Sequence, residues 1–223
     1  MLKVRFNLRK VVAIAICLAG FSVSNVLAQN NTTDQGVVIN GVKWATRNVD
    51  KPGTFAAKPE STGMFYQWNR RIGWSATDPM INSDGGTTLE SSVPTGDTWG
   101  KSNDPSPIGW RVPTAAEIST LFEDTKVDNE WVTVNGVKGR KFTDKTTGKY
   151  IFLPAAGYRN SKGELGFSIY GYYWSSDRSK DIPGCGDCSD YLYFGYPGSD
   201  NSRTEIQSGF RRMWGLSVRS VLE

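Results

Sequence analysis

The sequence predicts an α+β chain with few helices and many short antiparallel strands. Three observations predict it. Two Asn-Gly pairs sit between apolar runs, each the signature of a two-residue hairpin turn that needs positive φ at both positions. One stretch carries a full helix start. The C-terminal half alternates aromatic, strand-like runs with loops rich in Gly, Ser and Asp.

The first 28 residues read as a secretory signal. Lys3, Arg5, Arg9 and Lys10 form a basic n-region, Val11 to about Phe21 an apolar stretch, and Val26-Leu27-Ala28 a small-residue cleavage site. The apolar run is too short for a retained membrane span. Residues 29–36, "QNNTTDQG", are polar and are expected to form a disordered leader before a single domain over 37–223. The signal carries four of the 26 basic residues and none of the 22 acidic ones, so the remainder is charge-balanced. That balance argues against a nucleic-acid partner. The chain contains no histidine. This excludes Ser-His-Asp and Cys-His nucleophilic sites, His-ligated zinc and the usual general base near neutral pH.

"VVINGVKWATRNV" and "WVTVNGVKGRKF" place Asn40-Gly41 and Asn135-Gly136 at hairpin turns. "GMFYQWN" (63–69) has the aromatic density of a buried strand. Residues 73–108 are rich in Ser, Thr, Asp, Gly and Pro and read as a long loop region. In "GWRVPTAAEISTLF" (109–122), Thr114-Ala115-Ala116-Glu117 is a capping box and Pro113 blocks backward extension. Ile118, Leu121 and Phe122 fall on one face of a helix expected over about 114–124. "KYIFLPAAGYR", "YGYYWSS", "DYLYFGYP" and "WGLSVRSVL" then read as strands.

Five phrases in this order carry a family likeness: "NGVKWATRNV", "GWRVPTAAEISTLF", "FLPAAGYRNSKGEL", "GYYWSS" and "GLSVRSV". Together they resemble the Fibrobacter succinogenes major paralogous domain of secreted and surface proteins from Bacteroidetes-type bacteria, over about 37–221. That family is similar in turn to the C-type lectin-like fold shared with the formylglycine-generating enzymes. The resemblance implies that N- and C-terminal strands come together, that a long loop region presents the ligand surface, and that Trp110, Pro113, Thr114 and Glu117 are framework. The chain departs from lectin patterns. It lacks the Glu-Pro-Asn, Gln-Pro-Asp and Trp-Asn-Asp motifs of calcium-dependent sugar binding, and Ser106-Pro107 stands where family members often carry Cys-Pro. The segment from Tyr172 to the end also resembles the variable region of diversity-generating retroelement targets.

Chemistry-bearing groups are sparse. Cys185-Gly186-Asp187-Cys188 lies in turn-rich "DIPGCGDCSDY", which reads as a local disulfide; a redox pair or a metal site with Asp187 or Asp190 are the alternatives. The carboxylates Asp177, Asp181, Asp187, Asp190, Asp200 and Glu205 read as solvated loop charges rather than a glycosidase pair. "SDGG" (83–86) and "GSDN" (198–201) offer oxygen ligands for calcium without regular acidic spacing, and no metal or other cofactor is assigned. On "DYLYF", Tyr191 and Tyr193 share one face and Leu192 and Phe194 the other, so the tyrosines are expected at the surface.

The expectation is therefore a secreted, periplasmic or cell-surface recognition domain without enzymatic activity. It would bind a glycan or a surface protein through loops around 177–212, with Asp177, Arg178, Tyr191, Tyr193, Tyr196, Asp200, Asn201 and Arg203 as contacts. An enzyme using Cys185 and Cys188 or a carboxylate pair is one alternative. A structural subunit of a surface assembly, or a retroelement-diversified display protein, is another.

Overall fold

The computed structural model of the chain describes residues 31–166, 169–180, 182–199 and 203–223. The signal segment 1–28 lies outside them. Of the polar leader, residues 31–36 are described and Asp34 pins them. Its carboxylate accepts from the amides of Gly36 (2.8 Å) and Thr46 and pairs with Arg47 at 3.2 Å. One buried acid supplies this anchor, which composition does not reveal.

Both Asn-Gly turns form as predicted. Strands β1 (Val37–Ile39) and β2 (Val42–Trp44) flank Asn40 and Gly41 at φ of 44° and 82°. The strands β6 (Val127–Val134) and β7 (Val137–Asp144) flank Asn135 and Gly136 at 48° and 83°. Between these hairpins lie β3 (Met64–Gln67), β4 (Gly73–Ser75), β5 (Trp110–Arg111) and α1 (Ala115–Ser119). After them come β8 (Tyr150–Pro154), β9 (Tyr158–Arg159), β10 (Leu165–Gly166), β11 (Tyr170–Arg178), β12 (Cys188–Gly195), β13 (Thr204–Arg211), β14 (Gly215–Leu216) and β15 (Val221–Leu222).

The strands form four antiparallel sheets, ordered β1-β2-β15-β5, β10-β9-β14-β3-β4, β11-β12-β13 and β6-β7-β8. The first hairpin and the last strand do pair, Val221 opposite Trp44. The α+β, lectin-like class is overturned. Among the described residues strand makes up 40% and helical turns 6%, with a single short α-helix, so the fold is β-rich.

The helix starts as its sequence dictates. Thr114 Oγ1 accepts from the Glu117 amide and Glu117 accepts from the Thr114 amide, while Arg111 grips the same carboxylate at 2.6 and 2.8 Å. It ends early. Thr120 Oγ1 donates to the Glu117 carbonyl (2.7 Å), and Asn40 Nδ2 donates to the Thr120 carbonyl (3.0 Å). A 3-10 turn, Thr120–Phe122, replaces the expected second half because tertiary and side-chain partners take its carbonyls.

The long 73–108 region is stitched down rather than free. Arg212 Nη1 donates to the carbonyls of Pro94 (3.1 Å) and Gly96 (3.0 Å), the Trp99 amide to Ser176 (2.8 Å), and Arg70 pairs with Glu90 at 2.7 Å. Arg159, fully buried, does the same for Ser75 and Thr77 through their carbonyls.

Strand β12 lies at the centre of the third sheet and is buried on both faces. Leu192 and Phe194 join Ile39, Trp44, Phe142 and Tyr173 in one apolar cluster; Tyr191 and Tyr193 join Tyr66, Trp68, Trp174 and Leu216 in another. Gly171 of β11 lies directly opposite Phe194, and a Cβ there would sit 2.0 Å from the ring. Gly171→Ala is expected to lower stability by about 2–3 kcal/mol, read as a shifted urea midpoint. An unchanged midpoint would show that this contact relaxes freely.

Candidate functional site

The third sheet carries the residues that the sequence singles out, but not as one surface. At one end of β12, Asp177 accepts from the Ala115 amide at 2.7 Å and so fixes the start of α1. Beside it Arg178 pairs with Asp97 at 2.9 Å. At the opposite end Tyr196 is exposed, edge-on to Trp131 at 5.6 Å and under Lys138 at 5.4 Å. Arg203 lies there too, 3.5 Å from Glu205. An eight-residue strand separates the two groups by about 25 Å. Asp200 and Asn201, like Asp181, lie outside the described residues.

Tyr191 and Tyr193 are not at the surface: they are 7% and 5% exposed. Leu192 and Phe194 lie in the core as the alternation predicts, but the tyrosine face is covered as well. Tyr170 and Tyr172 of β11 and Phe210 of β13 lie against it, and Tyr158 and Trp214 pack on those rings in turn. The region around 203–211, expected as loop, is the strand β13, with Leu192 opposite Ile206 and Tyr193 opposite Glu205. Ile206 packs into the apolar cluster below, which gives that polar-looking segment its register.

The exposed part of this face is a second aromatic tier. Tyr170, Tyr172, Tyr158, Phe210 and Trp214 are each half-buried. Tyr170 lies 6.4 Å from Tyr172, Tyr172 lies 5.2 Å from Tyr158, and Tyr158 lies 4.9 Å from Trp214. Phe210 touches all three of the last, at 5.3, 5.8 and 5.1 Å. Along the β13 margin Tyr191 donates its hydroxyl to Gln207 Oε1, and Gln207 Nε2 donates to Glu205 at 2.9 Å. Burial, reinforced by the neighbouring phenols, raises the pKa of Tyr172 and Tyr191 and pushes Tyr193 up to about 12. All three are therefore neutral hydroxyls at physiological pH. The spacing of Tyr170 and Tyr172 around Gly171 is the one signal in the sequence that pointed here; Tyr158, Phe210 and Trp214 come from distant segments.

Cys185 and Cys188 form a disulfide with Cα atoms 5.6 Å apart. With Asp187 they bring their ligand atoms within 4.8 Å, but sulfurs bonded to each other present no thiolate to a metal or a substrate. Other carboxylates are committed: Asp187 lies 3.5 Å from Arg211, and Asp190 accepts from Ser179 (2.7 Å) and Ser208 (2.6 Å). In "SDGG" the loop closes on itself, Asn82 Oδ1 accepting from the amides of Asp84 and Gly86. Part of "GSDN" lies outside the described residues. A cleft of about 560 Å³ opens elsewhere, beside β5. Its charges are spent internally: Lys101 pairs with Glu223, and both oxygens of Asp104 accept backbone amides, from Ser106 and Val112.

Among the described residues no helix is long and apolar enough to cross a membrane. No family model, no curated protein and no solved structure matches the chain.

Proposed function

We propose that the chain is an exported, non-enzymatic recognition domain whose ligand face is the aromatic tier of the third sheet. The observation that carries this reading is the contiguous run of half-buried rings from Tyr170 to Trp214. Aromatic rings held rigid by a packed layer beneath offer contact area at little entropic loss on binding. The polar margin of Glu205 and Gln207 supplies hydrogen bonds to orient a ligand. A cysteine nucleophile or a thiolate metal ligand would need a free thiolate, and the disulfide supplies none. The proposed export rests on the signal-like N-terminus and on the resemblance to secreted domains.

The test is an array of glycans and bacterial surface proteins probed with the purified chain and with Tyr172→Ala. Any bound member should lose about tenfold or more in affinity with the variant, while Tyr172→Phe, which keeps the ring, retains it. Binding that is indifferent to Tyr172→Ala would remove this face from the function.

A further inference from the structure

We infer that the cleft beside β5 is a second binding site, for a small organic anion: a carboxylate or phosphate head group on an apolar body. The cleft shares no residue with the aromatic tier, so the inference stands apart from the reading of that face. Three features lead to it.

The first is size. The cleft holds about 560 Å³, inside the range of about 300–1,000 Å³ typical of sites for whole small molecules. A bare ion would fill only a small part of it. Ile108, fully exposed at its margin, offers an apolar contact to the rest of a ligand.

The second is an unanswered donor. The buried indoles of Trp68, Trp99 and Trp174 each donate to a backbone carbonyl, at 3.0, 3.0 and 2.6 Å. Trp110, on the cleft wall and 7% exposed, has no such acceptor among the described residues. Nor is its indole N–H sealed from solvent, as that of Trp44 is. It is open to an acceptor that enters the cleft.

The third is charge. Arg71, Lys101, Asp104 and Glu223 border the cleft. Both oxygens of Asp104 are taken by backbone amides, and the Glu223 carboxylate faces Lys101 at 3.4 Å. Arg71 has no carboxylate partner among the described residues. Its Nη1 donates to the Asp104 carbonyl at 2.9 Å, and the rest of its fork is uncommitted. What the cleft offers is therefore a donor set, an indole N–H and a guanidinium, and an anion that accepts from both complements it. The Lys101 side chain is 87% exposed, so its pairing with Glu223 is worth little and the ammonium can turn to the same anion.

The experiment follows the indole N–H signals of the purified chain by proton–nitrogen correlation NMR. The probes are benzoate, phenyl phosphate, their small counterparts acetate and inorganic phosphate, and the neutral benzamide. The Trp110 signal is identified by its absence from Trp110→Phe. Benzoate and phenyl phosphate should shift it saturably, about fivefold or more tighter than acetate and inorganic phosphate. Whichever of the two binds tighter names the head group, and either order supports the site. Arg71→Gln, a change at an exposed side chain, should weaken binding about tenfold. Glu223→Gln should instead tighten it about twofold to fivefold by releasing Lys101, an effect that loss of stability does not produce. Tyr172→Ala should leave it unchanged, which separates this site from the tier. Benzamide binding as tightly as benzoate, or binding indifferent to Arg71→Gln, overturns the anion site. Inorganic phosphate binding as tightly as phenyl phosphate shows an adventitious ion only and overturns the organic ligand. A Trp110 signal that no probe moves overturns the inference outright, and none of these outcomes bears on the aromatic tier.

Discussion

Replacing Arg219 with methionine is expected to lower the stability of the chain by about 3–5 kcal/mol, measured by urea denaturation near neutral pH. Arg219 is 1% exposed and, among the described residues, bonds to amide and carbonyl oxygens. Its guanidinium donates to Asn48 Oδ1 at 2.9 Å, the Ala45 carbonyl at 3.1 Å and the Phe152 carbonyl at 3.0 Å. These acceptors belong to the segment after β2 and to β8, so one side chain joins two sheets. Methionine matches the length but leaves three buried acceptors unpaired, at about 1–3 kcal/mol each. Removing the buried charge offsets part of that. Burial depresses the guanidinium pKa to about 10, yet the group stays charged at physiological pH. Arg219→Lys should fall between the two, because an ammonium cannot reproduce the fork. A methionine variant as stable as the parent would show that the network is incidental.

Alkaline pH should unfold the chain over a narrow range. Burial raises the pKa of Tyr66, Tyr158, Tyr172, Tyr173, Tyr191 and Tyr193; Tyr173, fully buried, and Tyr193 are pushed to about 12. A raised folded pKa means that the folded state holds the proton longer than the unfolded state. The stabilisation is complete below the ordinary phenol value of about 10 and is lost as pH rises through the folded value. Tyr173 alone accounts for about 3 kcal/mol by pH 12. Arg219 works the other way: its folded pKa is lowered, so between about 10 and 12.5 it favours the folded state. Burial lowers the pKa of Arg140 and Arg212 in the same direction, and three such groups against six tyrosines still leave a net loss. Urea midpoints should hold near neutrality and fall steeply above about pH 10.5. In parallel, only part of the nine tyrosines should show tyrosinate absorbance before unfolding. If all nine ionise together near the ordinary phenol pKa while the chain stays folded, the packing of the aromatic clusters is looser than described.

Local signals were legible in the sequence wherever a short stretch determines its own geometry. The Asn40-Gly41 and Asn135-Gly136 turns and the Thr114–Glu117 cap need only adjacent residues, and all three form. The helix stops at Ser119 because the Thr120 hydroxyl takes the Glu117 carbonyl and Asn40, some 80 residues away, takes that of Thr120. The balance of helix to strand shifted for the same reason: β13 reads as a polar loop until Leu192 and the core beneath Ile206 set its register. The site was legible only in part. Alternation along β12 sorted Tyr191 and Tyr193 from Leu192 and Phe194, but it cannot show that a second layer covers the tyrosines. The tier above them draws on β9, β11, β13 and the approach to β14, a convergence that linear spacing does not encode.

The two-tier arrangement bears on how far the face can be remade. Tyr191, Tyr193 and Trp174 lie underneath and belong to the fold, whereas Tyr170, Tyr172, Phe210 and Trp214 lie on top and are partly open to solvent. Substitutions confined to the upper rings change what the surface offers a ligand while the layer that holds β11, β12 and β13 together stays intact. A mutant library restricted to those four positions would therefore sample new specificities on a scaffold that continues to fold, which makes the chain a starting point for engineered binders.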